Sequence, residues 1–389
     1  MHSPRHRPGH GFTALHLVQP VDGGVARVVT DLAGAQVDAG VRVVVACPEG
    51  PLAGAAAARG AEVRVWRATR APGPNLRDEV RQVAGLVADV RPDLVHAHSA
   101  KAGLAGRLAV RGAVPTVFQP HAWSFEAVGG VTEHLARRWE RWATRWTDRV
   151  VCVSEAERRT GERAGVDASW SVVHNGVDTA RFRPAPAGPA RAALPLLAAL
   201  PPTAQVVLCV GRLCGQKGQD LLLRAWGPIA RQLPQARLVL VGDGPDAGQL
   251  RAAAPPSVLF AGAVADTAPW YRAADLVVLP SRWEGMAVAP LEAMASGRAV
   301  VLTDVDGARE SLPPGGALHC LTPPEDPGSL AAAVSALLRD EPLREALGRQ
   351  GHQHVLSTHD VRGTAQAIAD VYREVAAAPH PERREPISQ

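Results

Sequence analysis

The amino-acid sequence predicts an α/β protein made of two Rossmann-like domains that face each other across a cleft. Short apolar runs rich in valine, leucine and alanine alternate with longer stretches of helical periodicity, a pattern typical of βαβ units and a parallel sheet. The alternation restarts after residue 204. The length of 389 residues also exceeds what one hydrophobic core usually supports, so two domains are expected.

The predicted strands are compact apolar runs that each end in a polar loop. The first domain is placed at residues 13–180 and the second at residues 205–378. In parallel sheets of this kind, ligands bind beside the carboxyl ends of the strands. The strands are predicted at 13–18, 42–46, 62–66, 94–96, 115–118 and 149–153, and then at 205–210, 237–241, 258–260, 276–279 and 299–302.

The segment between the two series of strands is rich in proline and alanine. Prolines remove backbone donors and interrupt helices and sheets, so residues 181–204 are predicted to form the interdomain linker. A last helix near residues 361–377 belongs to the second domain and can return to the first. Polar composition predicts a flexible tail at residues 1–12 and a disordered tail at residues 379–389.

Composition argues against several classes of protein. Basic residues number 42 and acidic residues 38, an excess too small to indicate nucleic-acid binding by the whole chain. The sequence contains no uncharged apolar run of about 18 residues, so we expect neither a secreted nor a membrane-spanning protein. Five scattered cysteines predict neither a disulfide framework nor a zinc site, and a reducing cytoplasm fits them best.

Adjacent glycines follow the first predicted strand. Gly23 and Gly24 precede a predicted helix at residues 25–39, and they would let backbone amides approach an anion at the helix N-terminus. A plain tight turn explains the two glycines equally well.

A second loop that contains glycine carries two cations. Arg212 and Lys217 lie between a predicted strand and a predicted helix at residues 219–231, so both charges and a helix dipole converge where a diphosphate can bind. The chain has only two lysines, Lys101 and Lys217, against 40 arginines, which makes each lysine a candidate for a position where arginine does not serve. A solvated loop with incidental charges is the alternative.

Two carboxylates follow the strand predicted at residues 276–279. Glu284 lies in the loop after this strand, and Glu292 comes eight residues later, about two turns into the next predicted helix, so both are expected to point toward one cleft. Carboxylates in such positions accept hydrogen bonds from sugar and ribose hydroxyls. The alternative is a charge at a helix start and a solvated surface glutamate.

Together these segments resemble the family 4 retaining glycosyltransferases of the GT-B fold. Five motifs in the order typical of the family span nearly the whole chain, and the segments 98–103 and 119–125 further resemble members that assemble bacterial polysaccharides or lipid-linked oligosaccharides. The five motifs are Gly23-Gly24, His-Asn-Gly-Val-Asp at 174–178, Gly-Arg-Leu-x3-Lys-Gly at 211–218, Val-Gly-Asp-Gly-Pro at 241–245 and Glu-x7-Glu at 284–292.

The resemblance implies an enzyme whose co-substrate is a nucleotide-sugar and which needs neither a cofactor nor a metal. It implies that Arg212 and Lys217 hold the donor diphosphate. It also implies that Glu284 contacts hydroxyls of the transferred sugar and that Glu292 contacts the nucleotide ribose. The glycine pair of the first domain would join this donor site.

The same resemblance assigns roles to backbone amides and to one histidine. The amides of Gly285, Met286 and Ala287, near a helix N-terminus, would support the phosphate and the sugar. His121 of the first domain would face the donor sugar near the reacting carbon, although a lone loop histidine is more often without such a role. The family often has Phe-Gly where this chain has Met286-Ala287, so the donor pocket departs from the family pattern there.

The stretch at residues 133–149 has a distinct amphipathic pattern. On a helix, Leu135 and the tryptophans at 139, 142 and 146 fall on one side, with arginines along its flank. We favour the interpretation that the tryptophans pack on the first sheet while the arginines are solvated. The alternative is contact with an acidic membrane face or a lipid diphosphate acceptor.

The predicted function is the transfer of a sugar from a nucleotide-sugar to a glycan or polyprenyl-diphosphate-sugar acceptor, with retention of anomeric configuration. We expect a bacterial, cytoplasmic hexosyltransferase of polysaccharide biosynthesis, with peripheral contact at the inner face of the cell membrane as an option. Alternatives are a GT-B epimerase or phosphorylase and a non-catalytic nucleotide-sugar-binding or membrane-docking protein. A Rossmann dehydrogenase is disfavoured because no G-x-G-x-x-G follows the first strand.

Overall fold

Residues 11–378 are described in a computed structural model of the chain, and they form two α/β domains. Each domain is built around one parallel sheet, which confirms the predicted fold class. The first sheet contains β1 (Thr13–Val18), β2 (Arg42–Cys47), β3 (Glu62–Val65), β4 (Leu94–His98), β5 (Thr116–Gln119), β6 (Arg149–Cys152) and β7 (Trp170–Val172). The second contains β8 (Gln205–Val210), β9 (Ala236–Val241), β10 (Val258–Gly262), β11 (Leu276–Leu279), β12 (Ala299–Thr303) and β13 (Leu321–Thr322).

Helices connect the strands in both domains. The first domain has α1 (Gly23–Asp38), α2 (Pro51–Ala58), α3 (Leu76–Val90), α4 (Ser99–Val110), α5 (Gly130–Ala143) and α6 (Glu155–Arg163). After it come α7 (Ala187–Ala193), α8 (Pro195–Ala198), α9 (Gln219–Gln232), α10 (Ala247–Ala253), α11 (Ala268–Ala273) and α12 (Val288–Ala295). The chain ends with α13 (Ala308–Ser311), α14 (Ala317–Cys320), α15 (Pro327–Arg339), α16 (Glu341–Thr358) and α17 (Val361–Ala377).

The strand order places a ligand-binding edge in each sheet. The orders are β3-β2-β1-β4-β5-β6-β7 and β10-β9-β8-β11-β12-β13. The direction in which strands are added reverses at the first strand of each sheet, between β1 and β4 and between β8 and β11. The loops that leave the carboxyl ends of these strands diverge and form a crevice, which is where open α/β sheets bind ligands.

Continuous apolar runs form the central strands because helices cover both faces of a parallel sheet. All six residues of β1 are buried, and in β2 every residue after Arg42 is buried. Two strands of the structure, β7 and β13, were not predicted from the sequence. β13 has only two residues, and β7 is a half-buried edge strand without a run of valines.

The segment predicted as the linker connects the two sheets, but it folds into α7 and α8. It packs on the second domain, where Arg191 Nη2 lies 2.6 Å from Asp275 Oδ2 and Leu197 is buried in the core. Pro195 is tolerated because it lies in the first turn of α8, where its missing amide costs no helical hydrogen bond. The connection is therefore a packed part of the second domain rather than an open tether.

The last helix, α17, leaves the second domain and packs on the first. Its residues Ile368 and Tyr372 share a core cluster with Ala14 and Leu32 of the first domain. Residues 1–10 and 379–389, which include most of the two predicted tails, lie outside the described part of the chain. Phe12 falls within the predicted N-terminal tail, but its ring stacks on Tyr372 with centroids 6.0 Å apart, so packing begins before β1.

Candidate active site

The loop that follows β11 lies against the first domain. Ser154 Oγ, just before α6, donates to the carbonyl oxygen of Gly285 at 2.8 Å. Asn175 Nδ2, from the His-Asn-Gly-Val-Asp motif, donates to the carbonyl oxygen of Met286 at 2.7 Å. Both donor residues are buried. These two hydrogen bonds fix the backbone of the second-domain loop against the first domain.

Close approach between the domains explains the glycine at position 285. A Cβ on Gly285 would lie 2.7 Å from Glu157 Oε1 and 2.9 Å from the amide nitrogen of Ala122. Glu157 Oε1 also accepts a hydrogen bond from that amide at 2.6 Å, so it positions the turn beside His121. Burial raises the pKa of Glu157 to about 7. Glu157 is a site residue that the sequence motifs did not indicate.

His121 occupies the loop after β5 with a left-handed backbone, at φ 55°. Its Nε2 lies 3.1 Å from Nδ1 of His98. Its other ring nitrogen, Nδ1, has no hydrogen-bond partner among residues 11–378, and the side chain is partly exposed. Burial lowers the pKa of His121 to about 3, so the ring is neutral near pH 7. The ring therefore keeps one nitrogen for a ligand.

Lys217 and Glu284 form an ion pair that neither motif predicts. Lys217 Nζ donates to Glu284 Oε1, and Ser281 Oγ donates to the same oxygen at 2.7 Å. Within the described part of the chain, Glu284 Oε2 has no hydrogen-bond partner. The pair thus joins a cation and a carboxylate at the carboxyl end of the second sheet, with one acceptor oxygen left over.

Arg212 lines an open cavity between the two domains. The cavity has a volume of about 440 Å³, and Asp22 of the first domain and the 243–245 loop of the second also line it. Among residues 11–378, no group forms a hydrogen bond or an ion pair with the guanidinium of Arg212. An unpaired cation beside a cavity of this size favours an anionic ligand.

Arg70 adds a second positive charge near Arg212, from the first domain. Partial burial and the charge of Arg212 lower the pKa of Arg70, whereas the nearby Asp22 opposes the shift. Arg70 lies in the polar segment between β3 and α3 and belongs to no motif, so sequence reasoning did not find it.

Glu292 lies about one turn into α12, not two, because residues 285–287 are not helical and the helix begins only at Val288. Its Oε2 accepts a hydrogen bond from the Tyr271 hydroxyl at 2.9 Å, and its Oε1 lies 3.7 Å from Nε of Arg27 in the first domain. Burial raises the pKa of Glu292 to about 7, although Arg27 opposes the shift. Glu284 and Glu292 thus have entirely different partners.

The glycine pair of the first domain faces the start of α12. Gly23 has φ 76°, a left-handed conformation that favours glycine. A Cβ on Gly24 would lie 3.9 Å from Cγ2 of Val288. The first turn of α1 therefore approaches the second domain near Glu292.

Glu310 of the second domain forms a further contact with the first domain. Its carboxylate accepts hydrogen bonds from the amides of Glu155 and Ala156, the first residues of α6, at 2.7 and 2.8 Å. His174 Nε2 lies 3.2 Å from the same carboxylate. A negative charge at a helix N-terminus is favourable. No motif includes Glu310, so its role could be found only in three dimensions.

The amphipathic stretch covers most of α5, a short 3-10 turn at residues 144–146 and the start of β6, and its tryptophans are only partly packed. Trp139 and Trp146 are half-buried beside arginines of α4 and its C-terminus, rather than lying under the sheet. Val131, Leu135 and Trp142 are 78%, 62% and 39% exposed. The favoured interpretation is thus wrong for Trp142, because the first sheet does not cover this face of the helix.

Models of two protein families match the chain in succession. Residues 22–181 match the model described as glycosyltransferase family 4, and residues 204–340 match the model described as glycosyl transferases group 1. The lipopolysaccharide core biosynthesis mannosyltransferase LpcC of Rhizobium leguminosarum bv. viciae is 32% identical over 270 residues, which cover 64% of this chain and 75% of that protein. The chain belongs to glycosyltransferase family 4.

This family 4 glycosyltransferase is also similar to a second enzyme in sequence and to a solved structure in fold. A D-inositol 3-phosphate glycosyltransferase of Catenulispora acidiphila is 34% identical over 306 residues, which cover 72% of this chain and 70% of that protein. HepE of Anabaena in complex with UDP-glucose superposes with a TM-score of 0.80 at 25% identity, over 93% of this chain and 99% of that one. The fold is GT-B, as predicted. Among residues 11–378 no helix is both long and apolar enough to cross a bilayer.

Proposed function

We propose that this glycosyltransferase moves a sugar from a UDP-sugar to a hydroxyl of a glycan or lipid-linked acceptor, with retention of anomeric configuration. The proposal depends above all on the contact between Lys217 and Glu284. That contact joins a cation suited to a diphosphate with a carboxylate suited to sugar hydroxyls. The UDP-glucose complex of HepE supports UDP-sugars as the first donors to test.

The leaving diphosphate would be stabilised by side chains alone. Arg212 and Lys217 would bind its oxygens, and Arg70 would add positive charge from the facing domain. Preorganised cations stabilise the negative charge that develops on a leaving group, so we propose that no metal ion is required.

The sugar and the ribose would be held by the two carboxylates. Oε2 of Glu284, which has no partner within the described residues, would accept from a hydroxyl of the transferred sugar, with the amides of Gly285, Met286 and Ala287 beside it. Glu292 Oε1 would accept from the ribose. His121 would approach the reacting carbon from the first domain.

The acceptor would bind mainly to the first domain. The relatives are named for different acceptors: LpcC is a lipopolysaccharide core mannosyltransferase, and the Catenulispora acidiphila enzyme is a D-inositol 3-phosphate glycosyltransferase. We propose a glycan or a polyprenyl-diphosphate-sugar, because the apolar exposed face of α5 would suit an acceptor presented at a membrane surface.

A screen of donors and acceptors tests the proposed activity. Thermal shift with UDP-, GDP-, ADP- and dTDP-sugars should show the largest stabilisation for one UDP-sugar. Transfer to lipid-linked glycans, free glycans and inositol 3-phosphate is then measured, and the anomeric configuration of the product is determined by NMR. An inverted product would contradict retention, and transfer only to inositol 3-phosphate would contradict the proposed acceptor.

We further propose that α5 binds an acidic membrane surface at the inner face of the cell membrane. Val131, Leu135 and Trp142 would enter the interface, while Arg138 and Arg145 would attract anionic headgroups. Flotation with phosphatidylglycerol vesicles should recover the protein, and vesicles of phosphatidylcholine alone should recover much less.

Matched substitutions test this membrane contact. Leu135→Gln should abolish flotation, whereas Leu318→Gln, at an 82% exposed leucine of the second domain, should leave it unchanged. Equal flotation of both variants would show that α5 is not the binding surface.

A further inference from the structure

Three buried or partly buried histidines form a chain of hydrogen bonds inside the first domain. His16 Nδ1 lies 2.9 Å from His98 Nε2, and His98 Nδ1 lies 3.1 Å from His121 Nε2. At the inner end, His16 Nε2 lies 2.8 Å from Oε1 of Gln36, a buried residue of α1. These hydrogen bonds therefore connect α1 to the partly exposed His121, through β1 and the carboxyl end of β4.

All three histidines are neutral at physiological pH. Burial lowers the pKa of His16 to about 4 and that of His121 to about 3, and it lowers the pKa of His98 well below its usual value. Each neutral imidazole carries one N–H and one lone pair. Each link in the chain must therefore consist of one donor nitrogen and one acceptor nitrogen.

The group at the inner end decides every proton position in such a chain. Oε1 of Gln36 can only accept, so His16 must donate from Nε2 and keep its lone pair on Nδ1. His98 Nε2 must then donate to His16 Nδ1, and His121 Nε2 must donate to His98 Nδ1. The remaining nitrogen of His121, Nδ1, is left with a lone pair. If the amide nitrogen of Gln36 faced His16 instead, each proton would occupy the opposite nitrogen.

We propose that Gln36 is a positioning residue that fixes His121 as the Nε2–H tautomer, so that its Nδ1 lone pair accepts a hydrogen bond from a ligand hydroxyl. The inference rests on the proposed function, in which His121 faces the donor sugar. A lone pair can receive a hydroxyl proton but repels carbonyl, carboxylate and phosphate oxygens. The hydrogen-bonded histidines thus make this position of the crevice selective for a sugar hydroxyl over the diphosphate.

A metal site is the competing explanation for the same cluster. Ring nitrogens of His16, His96 and His98 lie within 4.8 Å of one another. In the hydrogen-bonded chain, however, the facing nitrogens of His16 and His98 share one proton, and His96 Nδ1 lies 2.7 Å from the Tyr372 hydroxyl. A metal would need those lone pairs and would break the chain.

NMR of the full-length protein labelled with ¹⁵N-histidine tests the tautomers directly. His121 signals are assigned by their loss in His121→Asn. In the unaltered protein we expect a protonated Nε2 and an unprotonated Nδ1 at His121. A protonated Nδ1 at His121 would overturn the proposal, as would a stoichiometric metal ion found by elemental analysis of the purified protein.

Two substitutions separate positioning from packing. Gln36→Met removes the acceptor and keeps the side-chain length, so His121 should populate both tautomers. Thr30→Val removes a buried hydroxyl of the same helix, which donates to the carbonyl oxygen of Ala26 at 2.8 Å and not to a histidine of this hydrogen-bond chain, so His121 should keep one tautomer. If Gln36→Met unfolds the protein, the spectrum of the unaltered protein still shows which tautomer His121 adopts, and a protonated Nδ1 there still overturns the proposal.

Kinetics connect the tautomer to the reaction. In Gln36→Met, kcat should fall by about 3- to 10-fold, the factor by which the competent tautomer is diluted, while UDP affinity stays unchanged. Thr30→Val should keep the full kcat. An unchanged kcat in Gln36→Met together with mixed tautomers would overturn the link to catalysis. Should no sugar be transferred at all, the proposed function fails while the NMR result stands independently.

Discussion

The two lysines of the chain both pair with a glutamate, but in different surroundings. Lys101 Nζ lies 2.5 Å from Glu79 Oε2 inside the first domain, and these side chains are only 2% and 1% exposed. Lys217 and Glu284 lie at the interdomain crevice and are 20% and 10% exposed. Both pairs use the same two residue types, so the two pairs differ only in how deeply they are buried and in their other hydrogen-bond partners.

The remaining partners distinguish a structural pair from one that can bind a ligand. Glu79 Oε1 accepts from both the amide and the hydroxyl of Thr69, at 2.9 and 3.1 Å, and Lys101 Nζ also donates to the carbonyl oxygen of Ala71 at 3.1 Å. Glu284 keeps Oε2 without a partner in the described residues. Deep burial and these additional contacts mark the first pair as a structural contact, whereas the partner-free oxygen of Glu284 marks the second as a candidate site.

The largest effect is expected when the buried pair is broken. Lys101→Met should lower the free energy of unfolding by about 3–5 kcal/mol, because Glu79 is left buried without its partner. The double variant Lys101→Met/Glu79→Leu should recover most of that loss. Urea unfolding measures both values. A loss below about 1 kcal/mol in the single variant would contradict the structural role assigned to the pair.

At the crevice, the effect should appear in catalysis instead. Glu284→Gln should lower kcat by about 10²- to 10³-fold, because the lost carboxylate would face the sugar that becomes positively charged. Glu292→Gln should mainly raise the donor KM, because the ribose does not react. Steady-state kinetics of both variants provide the measurement. If Glu292→Gln abolished kcat while Glu284→Gln changed only KM, the two assignments would be reversed.

The cations of the crevice should affect binding more than stability. Lys217→Ala and Arg212→Ala should each weaken UDP binding by about 1.5–3 kcal/mol, the range for hydrogen bonds to charged groups. Titration calorimetry measures the change, and Arg349→Ala, at an exposed arginine of α16, is the control. Unaltered UDP affinity in both crevice variants would rule out the diphosphate site. Lys217→Arg further tests whether this position needs lysine.

The smallest effect concerns the pH dependence of stability. Burial acts to raise the pKa of Glu79, but hydrogen bonds from Lys101 and Thr69 outweigh it and lower the pKa, so this group stabilises the fold above pH 4.5 and loses that contribution in acid. Glu292 behaves oppositely. Its pKa is raised from 4.5 to about 7, so the fold binds more protons than the unfolded chain between these values, and stability falls as pH rises through them.

Glu292→Gln should therefore reduce the loss of stability between pH 4.5 and pH 7 by about 1–3 kcal/mol. Urea unfolding at pH 5 and pH 7.5 measures this difference. Glu345→Gln, at an exposed position of α16, should not alter it. Identical pH profiles for Glu292→Gln and the unaltered protein would indicate that Glu292 is already ionised in the fold.

Local patterns predicted the parts of the molecule that depend on neighbouring residues. The bounds of β1, β8, β11 and α17 match because compact apolar runs and helical periodicity are local signals. The pairing of Lys217 with Glu284 spans 67 positions of sequence and depends on tertiary structure. Arg70 and Glu310 also escaped prediction, because their roles arise only where the two domains meet.

The crossing of α17 to the first domain affects how the protein can be divided. Val371 and Tyr372 complete a core with Ala14 and Leu94, which lie some 270 or more positions earlier. A fragment that stops at residue 180 would expose that apolar surface and is expected to aggregate. Chimeric enzymes that exchange acceptor halves with a relative should therefore carry residues 361–377 together with the N-terminal domain, as one engineering unit.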